Sequence, residues 1–316
     1  MQLKILNENT QILLQLSLMI LIVSCSVSEV SYYDLGMRHY NEGRYRTAID
    51  YFTRAINSDS TNAELYYLRA NAKVNLDENE EATYDYSKAI KLKPEMKFYM
   101  DRGLTYLTLF EYNRAINDFD EAIKYDSTNS ELYFNRGYSY SSLDNYEKAL
   151  LDYSNAIILD SSNAKLYVNR GDLWSRAGKQ QLAIFDFTEA ITINPNDELA
   201  YYNRANEFVA IGKYELAIKD YTKAIELNPS NVEYYFFRGE AKMILYQYLS
   251  AIEDYTTIID LEPNNGNAYY DRGICYAQLE QKENACNDFN QAGDLGFFKA
   301  YEIIQEYCEG DNKKSE

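Results

Sequence analysis

From residue 32 to residue 297 the apolar positions of the chain fall into two short helical stripes, and the pair returns about every 34 residues. One unit reads "YFNRGYSYSSLDNYEKALLDYSNAI", residues 133–157. Taking Gly137 as a reference position, Tyr133 stands four before it and Tyr140 three after it. These residues share one face of a helix, because positions three and four apart are neighbours on a helical surface. Ala149, Tyr153 and Ala156, at twelve, sixteen and nineteen after the glycine, make a second stripe of the same kind. The pattern breaks between them at Asp144–Asn145, so a turn joins two helices into a hairpin.

The reference position recurs as Gly36, Ala70, Gly103, Gly137, Gly171, Ala205, Gly239 and Gly273, in steps of 34 with one step of 33. Self-similarity at a fixed period of this length marks a repeat array. Four before the reference position every unit has tyrosine, and twelve after it every unit has alanine. Sixteen after it stands phenylalanine or tyrosine, and nineteen after it alanine, except at Ile258. Pro94, Pro195, Pro229 and Pro263 all lie twenty-four after it, where a second helix must stop. The expected fold is all-α, with eight helix hairpins over 32–297 and a capping helix over 298–310. Glycine and alanine let the two helices approach closely, and rings fill the space on either side. A core of ring against small residue explains 33 tyrosines in a chain whose hydrophobic share is 46%.

The order aromatic, glycine, tyrosine, alanine, phenylalanine or tyrosine, alanine and proline resembles the tetratricopeptide repeat, eight times over in register. The resemblance implies a right-handed α-solenoid of antiparallel helix pairs with a concave groove, and a protein that binds other proteins or peptides. It also implies that residues three before, one after and four after the reference position line the groove. On this chain the candidates are Tyr33, Met37, Tyr67, Asn71, Met100, Phe134, Tyr138, Tyr202, Asn206, Phe236 and Tyr270, with Glu240 and Met243 among their neighbours. Phe134, Tyr138, Tyr202 and Phe236 are the strongest candidates for exposed anchors; packing between neighbouring first helices is the competing role for each. No lysine or arginine stands at these positions, so the cationic clamp with which some members of the family hold chaperone carboxyl termini is absent. An aromatic groove instead suits an extended peptide or a helix with apolar anchors.

The chain departs from the family in a charged pair of columns. Arginine precedes the reference position in units two to eight, and aspartate stands fifteen after it in the same units. Unit one has neither, with Leu35 and Tyr51 instead. Joint loss in one unit points to pairs within a unit, such as Arg136 with Asp152 and Arg170 with Asp186. A guanidinium can bond a carboxylate in two places, which suits a bridge between helices. The alternative is a row of arginines gripping an acidic partner. Lys73, Lys242 and Ile258 are local departures, and unit two is one residue short.

The amino terminus is of another kind. Ile12–Val23 is a 12-residue apolar run, too short to span a bilayer and suited to the core of a signal peptide. It ends in Leu-Ile-Val-Ser-Cys at Cys25, which resembles the lipobox of bacterial lipoproteins. That resemblance implies cleavage after residue 24, a lipid on Cys25, a short tether over 25–31, and anchoring in the bacterial cell envelope, with the outer membrane favoured. Multiple acyl chains on one cysteine hold a protein to a membrane stably. Residues 311–316 are expected to be a disordered tail.

A net charge of −18 repels phosphate backbones, so nucleic acid is not an expected partner. One histidine, His39, has no cysteine or carboxylate cluster near it in sequence, and no phosphate-binding loop or nucleophile motif occurs, so no metal, cofactor or catalytic residue is expected. Cys286 and Cys308 stand where a disulfide could tie the cap to unit eight outside the cytoplasm; free buried thiols are the alternative. The expected function is a non-enzymatic, membrane-anchored scaffold or adaptor. The alternatives are an accessory or regulatory subunit of an envelope enzyme or secretion complex, and an enzyme with an irregular site.

Overall fold

The computed structural model describes residues 31–308, all of them helical or in the turns between helices, with no strand among the described residues. The expected signal peptide, Cys25, most of the tether and the tail at 311–316 lie outside the described residues. Two compact units divide between Ser127 and Thr128.

The first unit holds three helix pairs: α1 (Tyr32–Asn41) with α2 (Tyr45–Ser58), α3 (Ala63–Val74) with α4 (Asn79–Leu92), and α5 (Met96–Thr108) with α6 (Tyr112–Tyr125). The second holds five: α7 (Ser130–Ser142) with α8 (Tyr146–Leu159), α9 (Ala164–Arg176) with α10 (Gln180–Ile193), α11 (Glu198–Ala210) with α12 (Tyr214–Leu227), α13 (Val232–Ile244) with α14 (Tyr248–Leu261), and α15 (Gly266–Gln278) with α16 (Lys282–Asp294). A short helix, α17 (Lys299–Ile303), and a wide helical turn over Ile304–Cys308 follow. Within each unit every pair packs on the next in chain order. The chain is an all-α solenoid of the tetratricopeptide type.

Local chemistry sets the helix ends. Asn62, Asn129, Asn163, Asp197, Asn231 and Asn265 accept a backbone N–H at the start of the first helix of their pair. Such caps satisfy donors that the helix leaves unpaired. The junction shortened by one residue lacks this cap, since Glu95 precedes α5 without a side-chain bond. Between the helices of each pair one residue adopts a left-handed backbone, seven after the reference position. Glycine fills it at Gly43, Gly178 and Gly212, whereas Phe110 and Tyr246 hold φ of 58° and 59° there despite their side chains.

The core repeats one contact. The ring sixteen after the reference position lies directly on the glycine or alanine of the partner helix. A Cβ added to Gly103 or Gly171 would meet that ring at 2.8 Å. Ala70 and Ala205 occupy the same column, and in their pairs the ring is a tyrosine, Tyr86 or Tyr221, whose hydroxyl donates to the Oδ1 of Asn71 or Asn206. The alanines twelve after the reference position and the rings themselves are all buried.

Arginine and aspartate bridge the helices of seven pairs. Each guanidinium grips its carboxylate at two points, with Nη2 to Oδ1 at 2.6–2.9 Å and Nε to Oδ2 at 2.7–3.1 Å. The tyrosine four before the reference position lies against the guanidinium, 5.5–6.0 Å from its centroid. The third guanidinium nitrogen reaches backwards. Nη1 of Arg69, Arg102, Arg170, Arg204, Arg238 and Arg272 donates to Thr53, Ser87, Ser154, Thr188, Thr222 and Thr256 of the preceding pair, at 2.7–3.1 Å. Lys73 and Lys242 reach Asp85 and Asp254 at 2.8 Å and add a second cation to those carboxylates. At the carboxyl end Cys286 on α16 is bonded to Cys308, while Cys275 is buried and free.

Asp186→Asn should lower stability by about 3–5 kcal/mol, because it strands a half-buried guanidinium. Replacing Arg170 and Asp186 together with apolar residues should recover most of that loss. Urea unfolding of the single and double variants measures the coupling, and a value near zero would remove the bridge from the account.

Candidate binding site

The first helices of successive pairs carry the residues expected to meet a partner. In the first unit Tyr33 is exposed, whereas Met37 packs against the core of the first two pairs. Tyr67 is half-buried beside Phe98, with ring centroids 4.9 Å apart, and its hydroxyl donates to Asp101 at 2.8 Å. Asn71 accepts the Tyr86 hydroxyl and lines a cavity of about 240 Å³ together with Val74, Asp101 and Leu104. Met100 is half-buried on α5.

In the second unit Tyr138 is exposed, while Phe134, Tyr202, Phe236 and Tyr270 are half-buried among other rings. Phe134 leans on Tyr153. Tyr202 sits between Tyr221, Tyr234 and Phe237, and its hydroxyl donates to Glu233 at 2.9 Å. Phe236 meets Tyr255 edge-on, and Tyr270 lies 4.8 Å from Phe297. These side chains act largely as spacers between pairs, so they shape the binding face more than they project from it.

A cavity of about 580 Å³ opens across α11, α13 and α15, and of the eleven residues expected to line the groove only Asn206 borders it. Its walls are mostly apolar: Val209, Phe237 and Met243, with the Tyr221 and Tyr255 rings reaching in from the second helices. Asn206, Glu240 and Asp271 supply its polar groups. Phe237 and Asp271 stand two before the reference position, outside the columns singled out from the sequence. A signal was present there. That column reads Asp34, Leu68, Asp101, Asn135, Asn169, Asn203, Phe237, Asp271, a recurrent short polar residue in a helix interior without an obvious pairing role.

The two carboxylates differ from the paired aspartates. Burial, and then the Glu240 charge, push the Asp271 carboxyl up to about 7, with Lys299 of α17 pulling the other way. Partial desolvation also raises Glu240, although that residue is exposed, whereas Asp271 is half-buried. Asp101, the counterpart of Asp271 in the third pair, is raised by burial as well, but the Tyr67 hydroxyl and Lys97 both draw it back. Inside a low-dielectric wall an ionised carboxylate is costly unless a donor or cation answers it.

A helical-repeat protein of the α-solenoid class is thus defined by its hairpin core and by the cavity its first helices enclose. The chain belongs to the tetratricopeptide repeat family: models of that repeat match residues 33–97, 97–129, 130–163, 164–197, 199–231 and 266–294. The matched segments skip 232–265, the α13–α14 pair at the centre of the cavity. Among curated proteins, the heat shock protein sti1 homologue of Schizosaccharomyces pombe is 32% identical over 98 residues, 31% of this chain and 17% of that one. The DnaJ homologue subfamily C member 3 of Gallus gallus is 29% identical over 31% of this chain and 20% of its own length. The chain therefore spans about a fifth of the curated relatives it matches. Among solved structures, the carboxyl-terminal part of a repeat protein from Cytophaga hutchinsonii aligns over 76% of this chain and 98% of its own, with TM-score 0.65 and 19% identity. YrrB, described as having an unusual peptide-binding site, aligns over 59% and 97%, with TM-score 0.55 and 24% identity. These structures share the fold.

Asp271 also sets a pH dependence. Its carboxyl titrates higher in the folded chain than in the unfolded one, so the fold holds this proton more tightly. Stability from this group is full below about pH 4 and falls as pH rises towards 7. The charged and titratable groups around it are Glu240 on α13, Tyr255 on α14, Cys275 on its own helix and Lys299 on α17. Asp271→Asn should therefore stabilise the protein by about 2 kcal/mol at pH 8 and by almost nothing at pH 4. Thermal melts at the two pH values check it; an equal effect at both would show that the carboxyl titrates normally.

Proposed function

We propose that the protein is a non-enzymatic scaffold that binds a segment of a partner protein across its first helices and is held at a bacterial envelope membrane by a lipid on Cys25. Family membership supports the binding class. The observation that carries the reading is the apolar cavity across α11, α13 and α15, which is large enough for several side chains and carries a few convergent polar groups to orient them. YrrB, with the same fold and a peptide-binding site, is a precedent for such use. The curated relatives include an Hsp70-Hsp90 organizing protein of Triticum aestivum, 30% identical over 98 residues. Cationic residues are missing from this chain's groove columns, which argues against a ligand recognised by its carboxylates.

The membrane part of the proposal rests on the apolar run and on Leu21–Cys25. No helix among the described residues is long and apolar enough to cross a membrane. Attachment then falls to the acylated cysteine, which would leave the helical pairs free in the aqueous phase beside the membrane.

Photo-crosslinking in intact cells tests the binding face. A crosslinker at Val209 or Met243 should give discrete protein adducts, whereas one at Ile158, exposed on α8, should give none. Equal labelling at all three positions would reject this face. For the anchor, Cys25→Ser should abolish palmitate incorporation and move the protein from the membrane to the soluble fraction. Unchanged labelling would reject lipidation at that residue.

A further inference from the structure

Asp101 and Asp271 occupy the same place in their pairs, two before the reference position, but their surroundings differ. Asp101 accepts the Tyr67 hydroxyl at 2.8 Å and has Lys97 near it. In the register of the repeat, Phe236 stands where Tyr67 does, three before the reference position of the preceding pair, and Asn267 stands where Lys97 does, four before the aspartate. A phenyl ring cannot donate, and an amide carries no charge. Asp271 therefore lacks the hydroxyl donor that its counterpart uses, and the lysine that acts on it is Lys299 of α17 rather than one on its own helix.

The neighbouring groups share the deficit. Where Asn71 and Asn206 accept the hydroxyl of the core tyrosine, the α13–α14 pair has Glu240, and the buried Tyr255 hydroxyl donates to the Met243 thioether, a weak acceptor. Among the described residues neither Glu240 nor Asp271 has an ion-pair partner within 4 Å. Two carboxylates and one underused hydroxyl thus converge on a cavity walled by Val209, Phe237 and Met243.

We propose that this cavity is a subsite for one basic side chain, an arginine or lysine, in an otherwise apolar segment of the bound partner. The aliphatic stem lies along Val209 and Met243, the cationic head sits between Glu240 and Asp271, and a guanidinium also has the Phe237 ring to stack on. Arginine fits better than lysine, because its planar fork can bond two carboxylates at once. The net charge of −18 draws such a segment in from a distance. This subsite rests on the scaffold reading and names the chemistry of its ligand.

Fluorescence anisotropy with the full chain in detergent tests it. The probes are apolar nonapeptides that differ only at the central residue: arginine, lysine, glutamine or glutamate. Arginine- and lysine-centred peptides should bind at least about tenfold more tightly than the glutamine-centred one, and the glutamate-centred peptide most weakly. Glu240→Gln/Asp271→Asn should erase the difference between arginine and glutamine while leaving glutamine-centred binding intact. Phe236→Tyr/Asn267→Lys rebuilds the partners that serve Asp101 and should blunt the preference in a chain that keeps both carboxylates. Binding of all four peptides with equal affinity would overturn the subsite and leave the scaffold standing. Absence of binding by every peptide would overturn both. A preference that survives in the double carboxylate variant would place the cation elsewhere.

Discussion

Every hairpin depends on one contact without clearance: a buried ring pressed onto a residue with no side chain, or only a methyl, on the facing helix. It sets how near the two axes come, and that distance decides what else fits. The alanines of the second helix are buried in the space that this distance leaves, and only Ile258 puts a larger side chain in one of their columns. Interiors packed this closely do not tolerate added volume without displacement. Where the reference residue is alanine, the facing ring is a tyrosine tied by its hydroxyl to an asparagine one residue further on. The extra methyl and the tether occur together in both instances.

The bridge between arginine and aspartate is a second device built on that spacing. Its two parallel hydrogen bonds need the helices at a set separation, and within each unit its third nitrogen fastens a pair to the one before it. A guanidinium thereby spends its donors on two neighbouring repeats. In the first pair Leu35 and Tyr51 stand in the two columns. There His39 stacks on Tyr51 instead, with ring centroids 5.3 Å apart.

The fold could be read from the spacing because small residue and ring are coupled by volume, and volume leaves a periodic trace in sequence. The helix boundaries followed from Asn, Asp and proline at set offsets. The binding face was harder to read. Residues such as Tyr202 and Phe236 stand at outward-facing offsets, yet other rings from the adjacent pair close over them. Which rings close over which depends on how pairs stack, and no single hairpin carries that information. Phe237 and Asp271 escaped attention for a related reason: each contributes to a wall assembled from three pairs. The significance of Asp271 emerges only when its surroundings are compared with those of Asp101. The left-handed turn residue was a simpler omission, since Gly43, Gly178 and Gly212 mark its column while five bulkier residues disguise it.

The bond between Cys286 and Cys308 joins the last hairpin to the segment that covers its end. Thiols of this kind stay oxidised outside the cytosol and are kept reduced within it. The carboxyl-terminal closure is therefore conditional on address: in a reducing compartment the molecule would carry an unfastened end, and in an oxidising one a sealed end.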